Sequence, residues 1–253
     1  MNRAMVSIPR TRVRIGLTPD EADRLALELA KMEDVSNDGE GGMGSPSVDA
    51  IRARRREWLI ASMSAHEVEV GPFEIDVYPV TNGEWSRYAA RAGARKSARL
   101  GPEKHFVTGV SWQEARAFAQ HNKLDLATEA EWECAARHER SLFTWGDSYY
   151  PQGEIAFRPP VFDTHEIGSR PQIASARGVH DLLGQFGEYC ADKFGPYPGA
   201  DVDAFTKLFP GWGNKRVVRG GYDLDQDATC VSRRGVPEDE PRTHLKFRCV
   251  RRG

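Results

Sequence analysis

Cysteine is scarce in this chain. Cys134, Cys190, Cys230 and Cys249 are the only four in 253 residues, and they show neither a Cys-x-x-Cys pair nor metal-finger spacing. That excludes a disulfide-stapled secreted scaffold and leaves four thiols expected to be free in a reducing compartment. No apolar run at the N-terminus reaches signal-peptide length and no stretch approaches a transmembrane span, so the expectation is a cytoplasmic protein with no membrane partner. Neither sign of charge dominates: 35 Lys and Arg stand against 37 Asp and Glu, a net charge of -2. That balance argues against whole-surface attraction to nucleic acid. Internal repeats are absent and long periodic runs are few. What is abundant is Gly, Pro and Trp, at 24, 15 and 6 residues, which predicts short strands and much ordered loop. A chain of this length buries one core, so the expectation is a single domain over 1–253.

Along the chain, Met5 to Gly16 alternates apolar and polar residues around Pro9 and reads as a short strand or hairpin arm. Thr18-Pro19-Asp20-Glu21 is a capping box with proline at the first helical position, followed by Leu25, Leu29 and Met32 at helical spacing, which predicts four turns of helix. Ser36 to Ser47, rich in Gly, Ser and acidic residues, reads as a flexible linker. Val48 to Met63 is helical again and carries the chain's one basic cluster, Arg52, Arg54, Arg55 and Arg56. That cluster is either a solvated helix face or a contact for an acidic protein partner. Alternation at His66–Val70 and Phe73–Asp76 predicts two strands. Thr81 or Asn82 caps a helix with Trp85, Tyr88 and Ala89 on its apolar face, and Ser111 caps one bearing Ala115, Phe118 and Ala119. In Thr128-Glu129-Ala130-Glu131-Trp132-Glu133-Cys134-Ala135-Ala136 the threonine and Glu131 form another capping box, and apolar residues on more than one face predict a helix wrapped by protein.

The wording of that last stretch resembles the Leu-Pro-Thr-Glu-Ala-Glu-Trp-Glu-Tyr-Ala-Ala-Arg signature of the formylglycine-generating enzyme, or sulfatase-modifying factor, family. Other blocks match in order: His66-Glu67-Val68-Glu69-Val70, Val80-Thr81-Asn82, Val110-Ser111-Trp112, Trp145-Gly146, Gly178 to Tyr189, Val218-Arg219-Gly220-Gly221-Tyr222 and Phe247-Arg248-Cys249. The resemblance covers nearly all of Met5 to Arg251. It implies an α+β, C-type-lectin-like fold with a twisted, mostly antiparallel sheet, two main helices and long loops. Against most family members, residues 17–64 look like an inserted helical hairpin with its linker.

What the resemblance implies for chemistry is less uniform. Enzymes that make formylglycine bind copper(I) with two cysteines shortly after Arg-Gly-Gly-Ser, and two thiolates suit that soft cation. Here Tyr222 stands on the serine, Asp225 on the first cysteine and Cys230 on the second. Cys230 is therefore either a remnant of that site or a buried core residue. The iron-dependent relatives use a His-x-x-x-His-x-Glu helix that is missing among these seven scattered histidines. Family calcium loops read Gly-Asn-x-x-Glu; Glu188 keeps the acidic ligand while Gln185 replaces the asparagine, so the pair is a candidate structural calcium site. Tyr222, Asp223, Asp225, Asp227, Cys230, Arg233 and Arg234 together form either a site for a polar or cationic ligand or hard metal, or a solvated salt-bridged loop. The leading expectation is a catalytically divergent family member that binds a protein or a small polar ligand. The alternative is a copper- or iron-dependent oxidase of a small molecule or peptide, like the siderophore-maturing branch, with Tyr222, Asp225 and Cys230 as its catalytic residues. Sulfatase activation is not expected.

Overall fold

Pro9 splits the first alternating stretch in two, and in the computed structural model the halves go to different sheets. The structure describes residues 3–37, 47–97, 101–139, 141–147, 164–184, 186–221 and 228–253, with the backbone alone at 31–37, 48, 54 and 58. Strand β1 (Met5–Ile8) and strand β2 (Thr11–Ile15) do not form a hairpin with each other. β2 pairs antiparallel with β3 (His66–Val70), whereas β1 pairs antiparallel with β4 (Phe73–Asp76). A proline donates no backbone hydrogen bond and fixes φ, so it favours a change of sheet at this point.

Helix α1 (Pro19–Asn37) begins as the capping box predicts: Glu21 Oε2 accepts from the Thr18 N–H at 2.9 Å. It runs through Ser36 and Asn37, so the linker is shorter than expected; the rest of that stretch, 38–46, lies outside the described residues. Helix α2 (Val48–Trp58), capped by Ser47, continues into a 3-10 turn at Leu59–Ser62. Leu25, Ala26, Leu29 and Ile51 are buried. Each such aliphatic side chain contributes about 1.5–3 kcal/mol, so apolar burial fixes this hairpin far more than the half-exposed ion pair between Arg56 and Asp23.

Helix α3 (Asn82–Ala92) is capped by Thr81, not Asn82, and α4 (Trp112–His121) by Ser111, each with a reciprocal glutamate. Their apolar faces meet in an aromatic cluster. Trp85 stacks on Phe118 with centroids 5.9 Å apart, and Phe247 stands edge-on to Phe118 at 5.4 Å. Strand β5 (Asp125–Leu126) leads into α5 (Glu129–Ala136), every residue of which is buried. Beyond it come β6 (Gly187–Lys193), α6 (Val202–Leu208), β7 (Lys215–Arg219), β8 (Arg233–Pro237), β9 (Leu245–Lys246) and β10 (Cys249–Arg252). The expected sheet is divided among the described residues into β1-β4-β10-β5, β2-β3 and β8-β7-β6-β9, antiparallel throughout except where β6 meets β9. The architecture is α+β, with α5 between the sheets.

Candidate functional site

Glu129 and Glu133 lie one turn apart on α5, so both carboxylates leave the same side of the helix. Two arginines that are distant in sequence meet them. Arg233 grips Glu129 with two parallel hydrogen bonds of 2.9 Å and gives its remaining donors to the carbonyls of Ala61 and Gly195. Arg219, fully buried, donates to Glu133 at 2.5 Å, to Glu129 at 3.2 Å and to the Cys230 carbonyl at 2.7 Å. The Tyr197 hydroxyl donates to Glu129 at 2.9 Å while its ring lies 4.0 Å from the Arg233 guanidinium. Arg137 completes the cluster with a bond to Glu133 at 2.9 Å. Burying charges is costly unless partners satisfy them; here three guanidinium groups share two carboxylates, and the buried Arg219 Nε has no partner among the described residues.

A second buried ion cluster lies across Trp132. Glu188 accepts from the Trp132 indole at 2.9 Å and from Arg248 through two bonds of 2.7 Å, with the Lys246 ammonium at 3.6 Å. Burial pushes the Lys246 amine down despite the adjacent Glu188. Glu188 is thus the counter-ion of two cations, Arg248 and Lys246. Gln185 lies outside the described residues.

The first network leads, through Arg219, into the Gly220-Gly221 pair. Gly220 has φ +73°, and a Cβ there would come within 2.3 Å of the Leu182 carbonyl oxygen and 2.6 Å of the Trp132 ring. Only glycine lets the chain pass. The entry to the loop is held by the Gly184 N–H on the Gly220 carbonyl at 3.1 Å, its exit by the Cys230 N–H on the Leu142 carbonyl at 2.8 Å. Tyr222, Asp223, Asp225 and Asp227 lie outside the described residues.

Cys230 is a core residue, fully buried, its Sγ 3.7 Å from the Ala136 carbonyl. Burial first, and Glu133 second, push its thiol up. Arg233 faces the core, its charge spent on Glu129. Arg234 is buried on β8, close to Gly187. On α2, Arg52, Arg55 and Arg56 fall at i, i+3 and i+4 on one side of the helix and Arg54 stands apart; Arg55 is buried and Arg56 pairs with Asp23. The side chain of Arg54 is not described. Among the described residues no three of His, Cys, Asp and Glu cluster as a metal site, and all four cysteines are free and buried. The residues that sequence reasoning missed are Glu129, Glu133, Tyr197 and Arg219. Their one signal was a pair of glutamates at helical spacing inside an otherwise apolar helix.

The arrangement has a known context. The sulfatase-modifying factor enzyme 1-like domain matches residues 35–253. The chain belongs to this family. The formylglycine-generating enzyme of Streptomyces coelicolor is 34% identical over 189 residues, covering 68% of this chain and 59% of that protein, so the match spans about three fifths of the relative. The enzyme of the same name from Thermomonospora curvata is 32% identical over 98% of this chain and 93% of its own length. Among solved structures, PvdO from Pseudomonas aeruginosa superposes with a TM-score of 0.65 over 98% of this chain and 94% of that one, at 19% identity, a likeness of fold. Within the family fold, Arg219, Gly220 and Gly221 connect the buried network to the loop that follows.

Proposed function

We propose that this chain is a binding member of the sulfatase-modifying factor family, without formylglycine-forming activity, whose recognition element is the loop Tyr222 to Asp227. One observation carries the reading: Cys230, at the position of the second copper cysteine implied by the resemblance, is fully buried in the core with its Sγ against the Ala136 carbonyl. The first position is Asp225, a hard oxygen donor. Gly220 before the loop and Cys230 after it are held by backbone hydrogen bonds, and Arg219 adds a bond to the Cys230 carbonyl, a support of the kind that positions binding loops. The loop's three aspartates and tyrosine suit a small cationic or polar ligand.

The test starts with protein purified anaerobically and reconstituted with copper(I) or iron(II), then given oxygen and a Cys-x-Pro-x-Arg peptide. We expect unmodified peptide by mass spectrometry and no protein-dependent oxygen uptake. A panel of small amines and divalent cations should contain members that stabilise the wild type and fail to stabilise the combined Asp223→Asn, Asp225→Asn, Asp227→Asn variant. Stoichiometric copper that is lost in Cys230→Ser, or oxygen uptake with any small substrate, would overturn the reading in favour of an oxidase.

A further inference from the structure

Away from that loop, the strand β2 and the C-terminal end of α5 enclose a cavity of about 190 Å³ lined by Thr11, Arg12, Val13, Arg14, Glu133, Cys134, Arg137, Glu139 and Arg177. Four of those nine residues are arginines. Their charges are not equally available. Arg14 is paired with Glu21 at 2.9 Å, and Arg137 with Glu133, which Arg219 also neutralises. Arg177 gives only its Nε, to the Cys134 carbonyl at 2.9 Å. That bond holds the guanidinium at the cavity wall while both Nη groups have no partner among the described residues. The Arg12 side chain makes no hydrogen bond or ion pair among the described residues. Against these two uncommitted guanidinium groups stands one carboxylate, Glu139, which is exposed at the rim. Sites for drug-sized ligands usually run about 300–1,000 Å³, so this volume suits a single small group.

We infer that this cavity binds a small oxyanion, a phosphate or a carboxylate group, between Arg12 and Arg177. The planar guanidinium fork matches the paired oxygens of both anions. The site is separate from the loop of the proposed function and does not depend on that reading. Four of its nine lining residues are Thr11–Arg14, which precede the part of the chain matched by the family domain.

The full chain would be titrated with inorganic phosphate and, separately, with acetate, at constant ionic strength held with chloride, and read by thermal shift and isothermal calorimetry. We expect saturable stabilisation by at least one of them, and the stronger of the two identifies the group. Arg12→Ala and Arg177→Ala, both at exposed positions, should each weaken binding at least tenfold while unfolding as cooperatively as wild type. Glu139→Gln should tighten it several-fold, and Arg251→Ala, elsewhere on the surface, should leave it unchanged. No saturable binding of either anion, or equal binding by the Arg12→Ala, Arg177→Ala double variant, would overturn the inference. Weakening by Glu139→Gln would overturn the assigned polarity.

Discussion

Glu129 holds two arginines and a tyrosine, and none of those three has water to turn to if it is lost. Removing one member of a buried ion cluster strands the others, at a cost of about 3–5 kcal/mol. Glu129→Ala should therefore lower the unfolding free energy by that amount. Arg251→Ala, which breaks a half-exposed pair with Glu74, should cost less than about 1 kcal/mol. Urea denaturation of the two variants checks the contrast, and equal midpoints would refute it. Asp181 makes a second case, and its sign is testable. Burial alone would raise its carboxyl, but a hydrogen bond from His165 at 3.3 Å and one from the Gly168 N–H at 2.7 Å bring it below the ordinary 3.8. A folded-state value below the unfolded one contributes stability that is complete above the unfolded value and drains as pH falls through the folded one. Asp181→Asn is the suitable probe, because φ is +57° there and asparagine accepts that conformation. Wild type should exceed this variant in stability above about pH 5, with the gap closing on acidification towards about pH 2. Urea midpoints across that range are the measurement, and a gap independent of pH would count against it.

Helix starts were the most legible elements, because a capping box is a local interaction that its own four residues specify. Thr128 and Ser111 cap where the sequence puts them, and of the two candidates Thr81 and Asn82 the cap is Thr81. Thr128→Ala should cost about 1 kcal/mol in chemical denaturation, less than the charge variants, since Glu131 remains fastened to Arg252 by two bonds of 2.7 Å. Partners far away in sequence were not legible. Glu129 and Glu133 are visible in the sequence, but nothing local says that residues 219 and 233 will meet them, so the sequence leaves Arg233 between a ligand site and a salt-bridged loop. Strand pairing failed for the same reason: alternation in Met5–Gly16 specifies two faces, not which strand lies alongside. Glycines are intermediate. The Gly220-Gly221 pair is plain in the sequence, but its reason, a backbone crossing Leu182 and Trp132, needs the fold. Gly220→Ala should destabilise by roughly 4 kcal/mol or more, in the class of severe steric lesions. Soluble yield and melting temperature would show it, and near-native stability would mean that Trp132 can move aside.

At the scale of the molecule, the N-terminal strands bind together parts that the chain makes much later. The family domain match begins at residue 35, yet β1 closes one edge of the sheet that contains β4 and β10, and β2 is the sole partner of β3 among the described residues. Arg3 adds an ion pair to Asp76 and another to Glu84, both at 2.6 Å, and Ile8, Ile15 and Leu17 are buried in the main core. Deleting residues 1–17 would bare the backbone edges of β3 and β4, leave Asp76 buried without its cation and expose apolar core surface. Exposed strand edges of that kind template association. The truncated chain should therefore aggregate or elute as oligomers on size-exclusion chromatography and lose its cooperative thermal transition, whereas deleting only the first two residues should change neither. A monomeric, cooperatively folding product from residue 18 onward would mean that the family core is self-sufficient. It would also mean that the wall Thr11–Arg14 contributes to the anion cavity is an addition to a fold already complete, so phosphate binding alone, and not stability, should disappear in that truncation.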